Sequence, residues 1–382
     1  MGPLQGFRII EIAGIGPTQL CGMILADMGA DIIRIERVSS ADTGVDIPDQ
    51  FNLMNRSRPP IAVDLKNQAG IDLVLQLCKS ADALFEGFRP GVMERLGLGP
   101  SDCMARNPKL VFGRITGWGQ SGHLAGAAGH DANYLGLSGA LAAIGHKDGL
   151  PVLPLNLVAD FGGGALYLAT GLLAAMLEAS KSGKGQVVDA AMIDGVASMS
   201  TLFQGLLAAG MWQEQREGNL LDGSAPFYRT YATKDGKAIV VGAIERQFFK
   251  TLLEVLQIKT IDLADQFDAT KWPEHIKIFE DRFLSESRDY WCELLEGTDA
   301  CFAPVLEMSE AYEHKHNKAR DTFINVDGII QSAPAPRFSR TKSEIRSPAG
   351  KAALKNVDVL KFWGVSASEV AKLEQEGALG ER

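Results

Sequence analysis

The sequence predicts an α/β protein: a mostly parallel sheet in a large domain, followed by a smaller α+β domain. Three observations lead there. Short β-branched apolar runs alternate with helical patterns as far as Thr116. A Lys-Asp-Gly turn between two alternating segments marks a hairpin after Leu220. Hydrophobic residues make up 46% of the 382 residues and charged residues 22%, enough for a large core divided over two or three domains.

The elements follow in order. Residues 7–12 read as a strand, and Gly14-Ile15-Gly16-Pro17 as a turn whose proline opens a helix running to Met28. Strands are expected at 31–35 and 61–65, a helix at 70–79, and short strands at 83–85 and 110–115. Repeated βα units of this kind imply a mostly parallel sheet with helices on both faces. A long, central helix is expected from Asp160 to about Ser180, then a strand at 186–192 and a helix at 193–211. The hairpin occupies 227–232 and 237–242, with helices at 247–256 and across 273–295. An amphipathic helix is expected at 366–377.

A dinucleotide site is disfavoured. The G-x-G-x-x-G fingerprint would need glycine at position 19, where Gln19 stands. Glu36, near the end of the second strand, is flanked by Arg34 and Arg37, a poor match for a ribose-binding carboxylate. The net charge of −9 argues against a nucleic-acid partner. Five cysteines (Cys21, Cys78, Cys103, Cys292, Cys301) without a C-x-x-C pair fit neither a metal site nor a disulfide framework, and point to a reducing compartment. No secretory signal or uninterrupted run of about 18 apolar residues is visible, so no membrane partner is expected. The chain ends Gly-Glu-Arg, which is not a peroxisomal tripeptide. The expected location is cytoplasmic, or a peroxisomal or mitochondrial matrix if the source is eukaryotic.

Two residues stand out chemically. His130 lies in Gly-His-Asp-Ala-Asn-Tyr, and Asp160 precedes Phe161 and three glycines. A histidine and a carboxylate on opposite faces of a carbon can remove one proton and return another. Each alone also fits a structural role, His130 after a glycine turn and Asp160 as a helix N-cap.

The chain resembles the α-methylacyl-CoA racemases, within the class III (formyl-CoA type) CoA-transferases. The resemblance is carried by Gly14–Pro17, 26–31 (Ala-Asp-Met-Gly-Ala-Asp), 34–37 (Arg-Ile-Glu-Arg), 63–66 (Val-Asp-Leu-Lys), 86–92 (Glu-Gly-Phe-Arg-Pro-Gly-Val), 116–120 (Thr-Gly-Trp-Gly-Gln), 129–131, 160–164, 183–189 and 241–245. Many of these segments recur through the larger group and indicate CoA chemistry. Gly129–Tyr134, with Glu245 after Gly-Ala-Ile, is specific to the racemase branch.

The resemblance implies a large CoA-binding Rossmann-like domain (1–190 and 333–382), a linker (191–226), a small α+β domain (227–316) and a second linker (317–332). It also implies an interlocked homodimer whose active sites are shared between subunits. The substrate would be an acyl-CoA thioester, with no metal or redox cofactor, since coenzyme A is part of the substrate. His130 would be the base, oriented by Glu245 of the partner chain, and Asp160 the opposing acid. The backbone N–H of Asp131 would face the enolate oxygen. Arg37 and Arg89 would meet the nucleotide or its phosphates, and Val63, Asp64, Leu65 and Lys66 would line the adenine pocket. Gly129, Asn133, Tyr134 and Asn156 complete the expected substrate site.

For Asp160, a helix dipole lowers the pKa, while burial and a hydrogen bond from Tyr134 or Asn156 also act. The residues alone do not rank these influences. Asn55-Arg56-Ser57-Arg58-Pro59-Pro60 departs from the family's Gly-Lys-Arg-type stretch, and its prolines remove backbone donors. Leu202, Met211 and Trp212 are candidates for an apolar acyl surface. The rival reading is a CoA-transferase in which Asp160 attacks a thioester; it requires that carboxylate but not His130 and Glu245. A non-catalytic acyl-CoA-binding protein is the third.

Overall fold

The computed structural model describes residues 2–38, 47–350 and 356–380. The chain separates into two compact units. The first comprises Met1–Ser138, Pro154–Ser200 and Asp321–Arg382, and the second Gly139–Leu153 and Thr201–Arg320. The expected second linker, 317–332, is thus divided between the units, and Gly139–Leu153 lies in the second.

The first unit holds a six-stranded sheet of β1 (Arg8–Ile12), β2 (Asp31–Glu36), β3 (Pro60–Ala62), β4 (Ala83–Glu86), β5 (Val111–Thr116) and β6 (Val187–Ala191). The order is β3-β2-β1-β4-β5-β6 and every pairing is parallel. This is the doubly wound order, in which the strand sequence reverses between β1 and β4. The strands read as continuous apolar runs because both faces are covered: β4 and β5 are buried along their whole length. Ile10, Ile33, Leu84 and Phe112 share one core with Val359, Leu360 and Trp363 from the C-terminal helices. That packing brings the end of the chain into the first unit.

Between β1 and β2 runs the helix Pro17–Asp27, with Pro17 in its first turn and Gly16 before it. The helix Gln68–Cys78 is capped by Asn67, whose side chain accepts the Ala69 N–H at 3.0 Å. A short hairpin of β10 (Phe323–Val326) and β11 (Ile329–Ser332) belongs to this unit as well.

The long helix expected from Asp160 begins earlier. Leu157–Leu166 is π-helical and continues as the α-helix Tyr167–Ser182. By length and composition the 26 residues Leu157–Ser182 would suffice to cross a membrane. Leu168 and Leu172, however, are fully buried and press on Gly113 of β5, the packing of a core helix. The helix expected at 193–211 is two, Met192–Met199 and Thr201–Ala208.

The second unit is α+β. Its antiparallel sheet joins β7 (Tyr228–Ala232), β8 (Ala238–Gly242) and β9 (Phe302–Val305) in the order β7-β8-β9. Helices Arg246–Leu256, Trp272–Phe283 and Arg288–Leu295 supply Phe249, Phe279, Phe283 and Trp291 to a core that includes Phe227 and Ile239. The Trp291 indole N–H donates to Phe283 O at 2.9 Å, satisfying the one polar atom this ring buries.

Candidate active site

A cavity of about 750 Å³ lies at the carboxyl ends of the parallel strands, where the strand order reverses. Its walls are the turn after β1 (Gly14 to Thr18), the turn after β4 (Gly87 to Pro90), Gly117 and Trp118 after β5, and His130, Tyr134, Asn156 and Asp160. Ligands of doubly wound proteins bind at this position because adjacent loops diverge there and leave a crevice.

The helix Asp131–Leu137 places His130. His130 is its N-cap residue, and its backbone N–H donates to the side-chain oxygen of Asn133, the third residue of the helix, at 2.9 Å. Asn133 is therefore occupied with the helix start and does not line the cavity. The imidazole is exposed to the cavity. The N–H groups of Asp131 and Ala132 open the helix, so they lack intrahelical acceptors by position.

The Asp131 carboxylate has a different task. Its Oδ2 accepts the backbone N–H groups of Ala159 and Asp160, both at 2.8 Å. This carboxylate is buried and ties the first turn of the π-helical segment to the helix that carries His130. Two donors that a helix start would leave open are satisfied at once.

Asp160 lies inside that segment, one turn from its start, and not at an N-cap. Asn156 occupies the N-cap position, and its side-chain amide donates to Asp160 Oδ2 at 3.2 Å. Burial is the largest influence on the Asp160 carboxyl and lifts it above the ordinary carboxylate range. The Asn156 bond opposes that shift, the Asp131 charge adds to it and His130 lowers it. A helix dipole acting alone would give the opposite direction.

Tyr134 does not bond Asp160. Its hydroxyl donates to Gly129 O, and burial, with the Asp160 charge second, pushes the phenol up to about 12. The ring stands edge-on to Trp118, centroids 4.7 Å apart, and lies so close to Gly117 that an added methyl would come within 1.9 Å of it. Tyr134 thus shapes the wall.

Of the expected substrate-binding residues, Arg89, Gly129, Tyr134 and Asn156 line the cavity. Arg37, Val63, Asp64, Leu65 and Lys66 do not. Arg37 follows β2 with its guanidinium 6.0 Å from the ring centroid of Phe88, a cavity residue. Residues 63–66 follow the neighbouring β3. The Val63 side chain is in the core, 1% exposed, and its backbone pairs with Leu379. Asp64 Oδ1 accepts the Lys66 N–H at 2.9 Å. Glu245 belongs to the second unit, where it is the exposed N-cap residue of the helix Arg246–Leu256.

The arginines of the departing stretch are consumed internally. Arg56 grips Asp27 with two bonds, at 2.5 and 3.2 Å. Arg58 meets Glu11 at 2.8 Å, with both side chains fully buried. Neither is available to a phosphate.

Sequence reasoning missed Gln19, Asn52 and Asn55, which form a hydrogen-bonded group on the cavity wall. One signal was present: glutamine stands at the third helical position after Gly16-Pro17, where its side chain can accept the N-cap backbone N–H.

The comparisons agree with this architecture. Residues 4–352 match the model of CoA-transferase family III. The chain is 43% identical to an alpha-methylacyl-CoA racemase of Mus musculus over 98% of this chain and 96% of that protein. It is 40% identical to the alpha-methylacyl-CoA racemase of Homo sapiens over the same shares. A CaiB/BaiF family protein from Brucella suis has the same fold, with a TM-score of 0.78 at 24% identity, covering 95% of this chain and 99% of that one.

Proposed function

The chain belongs to CoA-transferase family III, and we infer that within this family it is a racemase that interconverts (2R)- and (2S)-2-methylacyl-CoA thioesters by 1,1-proton transfer. The observation that carries this reading is the sharing of one cavity by His130 and Asp160, with burial favouring the protonated form of Asp160. Where one group must donate while the other accepts, a carboxyl held above its ordinary range supplies the donor.

The α-hydrogen of a thioester is a weak acid, and its removal needs a base and a site for the developing enolate charge. In the proposed mechanism the neutral imidazole of His130 takes the proton from one face. The N–H groups that open the helix Asp131–Leu137 receive the enolate oxygen. Asp160 then delivers a proton to the opposite face, leaving a carboxylate and an imidazolium. In the reverse direction Asp160 is the base and His130 the acid.

Arg89, on the cavity wall, and Arg37, beside Phe88, are the cations proposed for the nucleotide phosphates of CoA. Residues 63–66 are proposed for the adenine. In an interlocked homodimer, Glu245 of one chain would orient the His130 ring of the other, and Leu202, Met211 and Trp212 would bear on the acyl chain.

The test is incubation of a single 2-methylacyl-CoA epimer in deuterated water with no acceptor acid. Racemisation gives α-deuterated product as both epimers. A transferase using Asp160 as nucleophile would leave the stereocentre untouched and require a second carboxylic acid. A binding protein would do neither.

A further inference from the structure

We propose that Gln19 is a positioning residue for Asp160: its carboxamide fixes the Gly16 turn that closes one side of the Asp160 carboxyl. This rests on the racemase reading above. Gly16 has φ 63° and ψ −106°, a conformation that side-chain-bearing residues rarely adopt. Such a turn needs something to hold it, and the Gly16 N–H donates to Gln19 Oε1 at 3.0 Å.

The other end of the carboxamide is anchored. Gln19 Nε2 donates to Asn55 Oδ1 at 3.1 Å and to Asn52 Oδ1 at 3.3 Å. Asn55 Oδ1 also accepts from Arg58 Nη2 at 3.3 Å, and Arg58 Nη1 donates to Gln19 O at 3.0 Å. Arg58 is itself locked to Glu11 in the core. A continuous chain of bonds therefore runs from a fully buried ion pair to the backbone of Gly16.

Gly16 in turn abuts the acid. A methyl group added to it would lie 3.2 Å from Asp160 Oδ2, so the bare glycine backbone closes on the carboxyl with little space between them. Closing that side keeps water from the carboxyl and so favours its protonated form. The titratable groups facing Asp160 are His130, with Asp131 and Tyr134 of the helix that follows it. Asp194 is the titratable group of the packed helix Met192–Met199, and residues 14–17 carry none. Releasing the turn therefore acts through hydration and leaves the neighbouring charges in place.

The test compares Gln19→Met, of similar length but without acceptor or donor, with Gln19→Glu, which keeps an acceptor for the Gly16 N–H. Gln19→Met is expected to lower kcat for epimerisation on the order of tenfold to a hundredfold, with KM for the thioester little changed. The alkaline limb of its kcat/KM–pH profile, in the direction in which Asp160 donates, should move to lower pH, because a hydrated Asp160 holds its proton less tightly. Hydrogen exchange at the Gly16 amide should accelerate in Gln19→Met and stay near wild type in Gln19→Glu, which should also recover part of the rate. If Gln19→Met does not fold, the Gly16 amide of the wild-type protein carries the test: exchange well below the free-peptide rate is expected, and exchange at the free-peptide rate would overturn the proposal. A wild-type alkaline limb or wild-type Gly16 exchange in Gln19→Met would overturn the proposal, even with a reduced rate. If the wild-type protein itself exchanges no α-proton, the racemase reading has failed, while Gly16 exchange still reports whether Gln19 holds the turn.

Discussion

The Asp131 carboxylate holds the backbone of Asp160: one oxygen accepts the Asp160 N–H at 2.8 Å and the Ala159 N–H at the same distance. The two acids are thus coupled mechanically, through hydrogen bonds, and electrostatically, because the Asp131 charge adds to the upward shift of the Asp160 carboxyl.

That coupling separates two variants. Asp131→Ala loses both bonds and should lower the free energy of unfolding by roughly 2–4 kcal/mol, read from urea denaturation. Asp131→Asn keeps an acceptor but removes the charge. It should stay close to wild type in stability, while the alkaline limb of its kcat/KM profile, in the direction in which Asp160 donates, moves to lower pH. An unmoved limb would remove Asp131 from the electrostatics of Asp160.

Packing beneath the acid is equally specific. An added Cβ at Gly195 would lie 1.9 Å from the carbonyl oxygen of Gly163, in the π-helical segment that carries Asp160. Gly195→Ala must push the helix Met192–Met199 away, and should destabilise the protein by about 3 kcal/mol or more. Thermal denaturation together with kcat should show both quantities falling.

Glu86 gives a pH prediction. Burial is the largest influence on it and raises its pKa from 4.5 to about 7, against the opposing Phe88 N–H and Arg114. The folded state then binds a proton that the unfolded state releases. The stabilisation from this group is complete below pH 4.5 and is lost as pH rises through about 7. It amounts to roughly 3 kcal/mol as an upper limit. Glu86→Gln retains an acceptor for the Phe88 N–H, which Glu86 now takes at 2.6 Å. Its Tm should fall less steeply than that of wild type across this pH window; parallel curves would contradict the assignment.

The sheet was legible because its strands are short apolar runs, most of them with β-branched residues, punctuated by turn residues. The helix boundaries were less so. Within 193–211 the break at Ser200 is marked only weakly, by a serine before Thr201 that also fits a continuous helix surface. Asp160 looked like an N-cap because aspartate is favoured at that position; a π-helical start, with Asn156 in the capping position, has no short sequence signature. The fates of Arg56 and Arg58 depended on partners remote in sequence, Asp27 and Glu11, which composition cannot pair. That the Val63 side chain turns into the core also depends on a remote partner, since β3 ends at Ala62 and the backbone at Val63 pairs with Leu379.

The most direct test of two-face proton transfer is α-hydrogen exchange measured separately for each epimer in His130→Ala and Asp160→Asn. Each variant keeps one of the two groups. His130→Ala should exchange only the epimer whose hydrogen faces Asp160, Asp160→Asn only the other, and both should lose epimerisation by about 10²- to 10⁴-fold. Exchange of both epimers at similar rates by either variant would contradict the account.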